Sequence, residues 1–150
     1  PDALATRCIN ALQRPLPRVE LGRALREAGL ARAAIDVSDG LLADVGHIAE
    51  RSRLDLELFE TQLPRLPAGV SSGLARECLL AGGDDYELAF TAAPSKRSEL
   101  AALAARLDLP LWRIGQAVAG DGRVRLLDAE GQALTLQHRG FDHFGQDQNR

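Results

Sequence analysis

Lysine is nearly missing from this 150-residue chain: of its 18 Lys and Arg residues, only Lys96 is a lysine. A lysine-dependent phosphate loop or Schiff-base chemistry therefore has almost no candidate. Cysteine is scarce too. Cys8 and Cys78 stand alone, without C-x-x-C spacing or a nearby histidine pair, which removes support for a zinc site or a redox motif and predicts reduced core thiols. No apolar run approaches the roughly 18 to 20 residues of a membrane span, and the N-terminus lacks the basic-then-apolar order of a signal peptide. A cytoplasmic protein is expected. Positive charge is also lacking: the formal net charge is −3, the pI is near 5.6, and the arginines are scattered rather than striped, so binding to nucleic acid is not expected. Internal repeats and low-complexity linkers are absent as well.

What the chain does have is 45% hydrophobic content, enough at this length to bury one core. It begins with Pro1 and runs directly into an amphipathic pattern, which suggests a piece of a longer polypeptide. Leu4, Cys8, Ile9 and Leu12 recur at helical spacing over residues 2–14, and Pro15 and Pro17 stop that helix. A second helix is expected from about Val19, with Leu21, Ala24, Leu25 and Ala28 on one face and Gly29 as its C-cap. Ala33 to Val37 reads as a buried strand. Leu41 to Ser52 reads as a helix with apolar Leu41, Leu42, Val45, Ile48 and Ala49. Leu54 to Phe59 alternates strictly, predicting a strand with Asp55 and Glu57 outward in solvent.

Helices are further expected over about 71–80 and from Pro94 to Leu107, and strands over 86–91, 109–118 (broken near Gly115), 124–127 and 133–136. Asp121-Gly122 and Glu130-Gly131 are hairpin signals joining the last three. The expected fold is α+β, a mixed sheet with helices packed on one face.

Two segments concentrate carboxylates and glycine: Asp36-Val37-Ser38-Asp39-Gly40 and Gly82-Gly83-Asp84-Asp85. Carboxylates this close repel one another, and a folded site tolerates them mainly where a cation or hydrogen-bond donors offset the charge. In an extended strand residues 36 and 38 point to one side, and the turn at 39–40 swings a third oxygen toward them, offering hard donors to magnesium. Magnesium prefers six oxygens at about 2.1 Å and keeps waters or phosphate oxygens among them. The Ser38 hydroxyl also suits a phosphate oxygen, and a helix N-terminus favours an anion. The structural alternative is that Ser38 caps the helix and Asp39 is a first-turn charge. Asp84 and Asp85, at a glycine-released turn, offer one acidic group to an amine or cationic substrate, or are turn carboxylates only. Asp44 and His47, at i and i+3, invite an acid–base reading but read first as a surface ion pair or helix-stabilising contact. Trp112 and Phe144 read as core, whereas Phe141, after Gly140 and before a polar tail, reads as a rim aromatic open to stacking.

Taken in order, Ala34-Ile35-Asp36-Val37-Ser38-Asp39-Gly40-Leu41, Asp44-Val45-Gly46-His47-Ile48, Gly82-Gly83-Asp84-Asp85-Tyr86-Glu87-Leu88 and Gly140-Phe141-Asp142-His143-Phe144 resemble the C-terminal half of the thiamine-monophosphate kinases. These kinases belong to the superfamily of aminoimidazole ribonucleotide synthetase. The resemblance implies direct transfer of the γ-phosphoryl of ATP to thiamine monophosphate, with Mg2+ and no phosphoenzyme. By motif, Asp36 and Asp39 are magnesium ligands, Ser38 touches ATP, Asp84 contacts the thiamine moiety and Phe141 stacks on it. Where the family often carries Glu and Tyr or Trp, this chain has Asp84 and Phe141. The resemblance makes residues 1–144 the substrate- and ATP-contacting domain and 145–150 a polar tail. It also implies a separate N-terminal domain that supplies most nucleotide and metal contacts and a homodimer, without which the fragment is inactive. Another ATP-dependent synthetase of the superfamily, or a non-catalytic binding module, is the alternative.

Overall fold

The computed structural model describes residues 3–65 and 72–134. Its elements run α1 (Ala3–Gln13), α2 (Val19–Glu27), β1 (Ala33–Val37), α3 (Leu41–Ser52), β2 (Leu54–Phe59), α4 (Ser72–Ala81), β3 (Glu87–Thr91), α5 (Arg97–Leu107), β4 (Gly115–Ala119) and β5 (Val124–Leu127). The α+β class with a mixed sheet holds. Among the described residues five strands divide between an antiparallel ribbon, β1 with β3, and a three-stranded sheet in the order β4-β2-β5. In that sheet β4 is antiparallel to β2 and β5 is parallel to it.

Helix α3 organises the main core. Its apolar residues at 41, 42, 45, 48 and 49 form one continuous stripe, and all five are buried with Val37, Leu56, Leu58, Leu80 and Leu126. Burying each leucine contributes roughly 1.5 to 3 kcal/mol, so this helix is fixed by packing far more than by propensity. A second cluster, Leu21, Leu25, Leu30 and Leu103, joins α2 to α5. The ribbon separates the two clusters, since Leu88 and Phe90 of β3 pack on the second while Ala89, between them, packs on the first. Helices thus cover both faces of the ribbon.

Several expectations are corrected. The Asp121-Gly122 hairpin does not form: β4 and β5 flank β2 instead of pairing with each other. Residues 120–123 therefore carry the chain past the start of β2, and Asp55 holds them there. Far from being solvated, Asp55 is 2% exposed, and its Oδ1 accepts hydrogen bonds from the backbone N–H of Asp121 (2.9 Å), Gly122 (3.2 Å) and Arg123 (2.9 Å). The Arg125 guanidinium donates to its other oxygen. Alternation reports the face a residue lies on, not whether a loop folds over that face. The strand expected over 109–118 shrinks to β4, because Leu109 and Leu111 pack on the second cluster instead. Cys8 and Cys78 are exposed, not core, and Trp112 is 56% exposed. The Glu130-Gly131 turn does reverse the chain, bridging Leu127 to Ala133.

The backbone N–H of Arg123, then the Arg125 guanidinium, hold the Asp55 carboxyl down from an ordinary 3.8 to about 2. Its folded pKa lies below its unfolded one, so its contribution is complete above the ordinary carboxylate range and disappears as pH falls toward the folded value. The thermal midpoint should drop between about pH 4 and pH 2, and Asp55→Asn should start lower at neutral pH and lose most of that drop. Identical pH profiles for the two proteins would remove Asp55 as the anchor.

Candidate active site

The two carboxylate-rich segments, more than forty residues apart in sequence, meet backbone to backbone. The β1–β3 register pairs Val37 with Glu87. Beyond that pair, the Tyr86 N–H donates to the Val37 carbonyl (2.8 Å) and the Asp84 N–H to the Ser38 carbonyl (2.9 Å). Two glycines permit this closeness. A Cβ on Gly83 would lie 2.5 Å from the Ser38 carbonyl oxygen, and Gly40, at φ 109°, would drive a Cβ to 3.0 Å from the backbone of Ala81.

The strand-to-helix corner is built differently from the predicted cap. Gly40 is the N-cap of α3 and supplies no side chain. Asp44, one turn inside the helix, instead reaches back, its Oδ2 accepting from the N–H of Ser38 (2.9 Å) and of Asp39 (3.0 Å). Asp44 is 3% exposed while His47 is exposed, so the expected surface ion pair does not exist. The arrangement works like a capping box shifted outward by one residue or two. Its sequence signal is a carboxylate in the first turn after a glycine N-cap. It also means that these two amides are occupied, and the corner does not offer them to an anion.

On this frame Asp36 is exposed at the end of β1, and Ser38 and Asp39 are half-buried on the corner. Across from them Asp84, Asp85 and Tyr86 are exposed. Asp84 (φ 64°) and Tyr86 (φ 50°) are both left-handed. That conformation costs roughly 1 to 2 kcal/mol for a non-glycine residue, more readily met by Asp than by Tyr. The flanking hydrogen bonds to Val37 and Ser38 hold it in place. Withdrawal from water, then the charges of Glu87 and Asp84, raise the Asp85 carboxyl above its ordinary value. Because Asp85 remains exposed by surface area, solvent screens much of that repulsion. Glu87 is itself engaged: the Arg18 guanidinium donates to both its oxygens, with Nε at 2.8 Å, tying the start of α2 to the start of β3. Arg18 was not singled out from sequence, since no local pattern links positions 18 and 87. Phe141, and with it the expected stacking and the polar tail, lies outside the described residues.

Among the described residues no three His, Cys, Asp or Glu side chains gather into a metal-holding group, so Asp36, Asp39 and Asp84 do not form one cluster. The donor set at the corner is two carboxylates and a hydroxyl, all hard oxygen. That fits a magnesium ion that keeps water and phosphate oxygens in most of its shell, and does not fit a closed protein cage. Among the described residues no helix is long and apolar enough to cross a membrane.

An α+β domain with an acidic corner locked against a glycine-released acidic turn defines a class that comparison with known proteins identifies. The family profile of AIR synthase related protein, C-terminal domain, matches residues 9–127, and the chain belongs to that family. Within it, the chain is similar to thiamine-monophosphate kinases: 42% identical over 138 residues to that of Haemophilus influenzae, covering 87% of this chain and 41% of the relative. The Bacillus subtilis enzyme is 33% identical over 143 residues, covering 91% and 42%. The crystal structure of thiamine-monophosphate kinase from Stenotrophomonas maltophilia K279a superposes with a TM-score of 0.74 at 48% identity, over 83% of this chain and 39% of that one. A structure described as AaThiL complexed with AMPPCP and TMP gives a TM-score of 0.74 at 26% identity, over 96% and 43%. The chain spans about two fifths of the length of the curated relatives it matches.

Replacing Gly83 with Ala should separate the two segments, destabilising the fold by about 1 to 3 kcal/mol. Chemical denaturation checks this. A variant as stable as the parent would mean the approach of Gly83 to Ser38 is not tight.

Proposed function

We propose that this chain is the C-terminal, substrate-contacting domain of a two-domain kinase that transfers the γ-phosphoryl of ATP to thiamine monophosphate. The observation that carries the reading is the direct hydrogen-bonded contact between the 36–40 corner and the 82–86 turn, which brings a hard-oxygen corner and a second acidic element to one edge. Its similarity to thiamine-monophosphate kinases, and the AMPPCP and TMP bound in a relative, support the choice of substrates.

In this reading Asp36 and Asp39 hold magnesium, which when bound neutralises phosphate charge and draws the reacting oxygens into line. Ser38, whose amide is fixed by Asp44, directs its hydroxyl to a nucleotide phosphate. Asp84 faces the cationic thiamine ring system and Phe141 stacks on it. The acceptor is a phosphate oxygen, already ionised, so no strong general base is needed and no side chain forms a covalent intermediate. Lysine has no part: the Lys96 ammonium is paired with Glu99 at 2.9 Å on the surface. The partner domain supplies the remaining nucleotide contacts and the homodimer contact, and the 150-residue chain alone turns over negligibly. In this reading the reaction takes place in the cytoplasm.

Full-length protein should form thiamine diphosphate from ATP and thiamine monophosphate, and should not form aminoimidazole ribonucleotide; the reverse would assign it to the synthetases of the superfamily. Asp36→Asn should cut turnover on the order of 100-fold or more while leaving the melting temperature nearly unchanged. Equal loss of stability and activity would make Asp36 structural and favour a non-catalytic module. Phe141→Ala should raise the KM for thiamine monophosphate and leave that for ATP nearly unchanged. An effect confined to ATP would remove the stacking role.

A further inference from the structure

The start of α3 has the makings of an anion site: a glycine N-cap, two consecutive amides at residues 38 and 39, and the positive end of a twelve-residue helix. The occupant is already part of the chain. Asp44 is buried, its Oδ2 accepts from both amides, and among the described residues no cation pairs with it. Gly40 has no room for a side chain at the N-cap, so the cap must come from within the helix, and a neutral acceptor there would serve with no buried charge. An internal carboxylate does something a neutral cap does not: it fills the amide pair with negative charge.

We propose that Asp44 is a positioning residue that occupies this amide pair, so that the corner presents Asp36 and Asp39 to a divalent cation and the Ser38 hydroxyl to the phosphate beside it, instead of presenting N–H groups to a phosphate. Two consequences follow from the geometry. With the amides of residues 38 and 39 pinned, the Ser38 hydroxyl and the Asp39 carboxylate leave the backbone in fixed directions. The phosphates of a nucleotide are also prevented from settling on the helix end, where they would sit beside the metal ligands without metal between them. This inference rests on the proposed function for the identity of the cation and nucleotide, but the exclusion of phosphate from the amide pair does not.

The test uses full-length protein, with Asp44→Asn and Asp44→Ala. Mn2+ binding without nucleotide is followed by electron paramagnetic resonance, and the amide resonances of Ser38 and Asp39 are followed by NMR during titration with inorganic phosphate. In the parent these two amides should be indifferent to phosphate. In Asp44→Ala they should shift saturably. Asp44→Asn, which retains an acceptor oxygen and so protects the fold, should bind Mn2+ about 10- to 100-fold more weakly. It should also lower kcat with little change in the KM for thiamine monophosphate. Parent amides that respond to phosphate, or an Asp44→Asn variant with the parent's Mn2+ affinity, would overturn the proposal. Should the parent make no thiamine diphosphate at all, the kinase reading fails, while the phosphate titration still decides the role of Asp44.

Discussion

The structure depends on the approach of two backbone segments that carry no apolar side chain between them. Ser38 and Val37 offer carbonyls, and Asp84 and Tyr86 answer with amides. Such bonds are each modest in net free energy, of order 1 kcal/mol, and they form only if nothing bulkier than hydrogen intervenes at Gly83. The core behind them makes the approach possible. Helix α3 packs its stripe against β1, β2 and the end of α4, which positions the start of α3 and the end of α4 side by side. The acidic groups at the rim could not draw these segments together; their mutual repulsion is offset by hydrophobic burial a few residues away.

Much of this was legible. The strand over 33–37, the helix over 41–52 and the strand over 54–59 have the bounds read from hydrophobic period, because each buries one continuous apolar face. That the two acidic segments meet was not legible, since nothing local links positions 38 and 84. The order of strands was not legible. A two-residue Asp-Gly signal is local, whereas the choice between pairing β4 with β5 and placing β2 between them depends on Leu126 and Val124 finding the face of α3. Nor was the exposure of Cys8, Cys78 and Trp112, since an amphipathic period marks a face without saying what covers it.

The buried carboxylates were misread together, for one physical reason. Asp44 and Asp55 occupy positions, one in the first turn of a helix and the other in an alternating strand, where an acidic residue ordinarily meets water. Each is instead wrapped by the amides of a neighbouring loop, two for Asp44 and three for Asp55. An ionised carboxylate accepts several strong hydrogen bonds at once, so it organises an irregular loop that has no ladder of its own. Composition and period carry no trace of such an arrangement, because the donors come from the backbone and any residue but proline supplies one.

The two wrapped carboxylates differ in what balances their charge, and the difference bears on function. Asp55 has the Arg125 guanidinium as well as amides, so a cation sits beside the charge that anchors the crossover. Among the described residues Asp44 has amides alone, and the acidic groups of its corner are Asp36 and Asp39, with Asp84 and Asp85 on the facing turn. Arg18, at the start of α2, is spent on Glu87. In the proposed reaction this edge meets the triphosphate of ATP and the single phosphate of thiamine monophosphate, both anionic, and carboxylates facing them without a cation would repel them. Divalent cations resolve the conflict where the carboxylates stand on a fixed backbone, and the Asp44 anchor and the Gly83 contact hold that backbone. The acidity of this edge is therefore coherent with phosphate chemistry through metal, and incoherent with phosphate capture by its backbone amides and side chains in the absence of a cation.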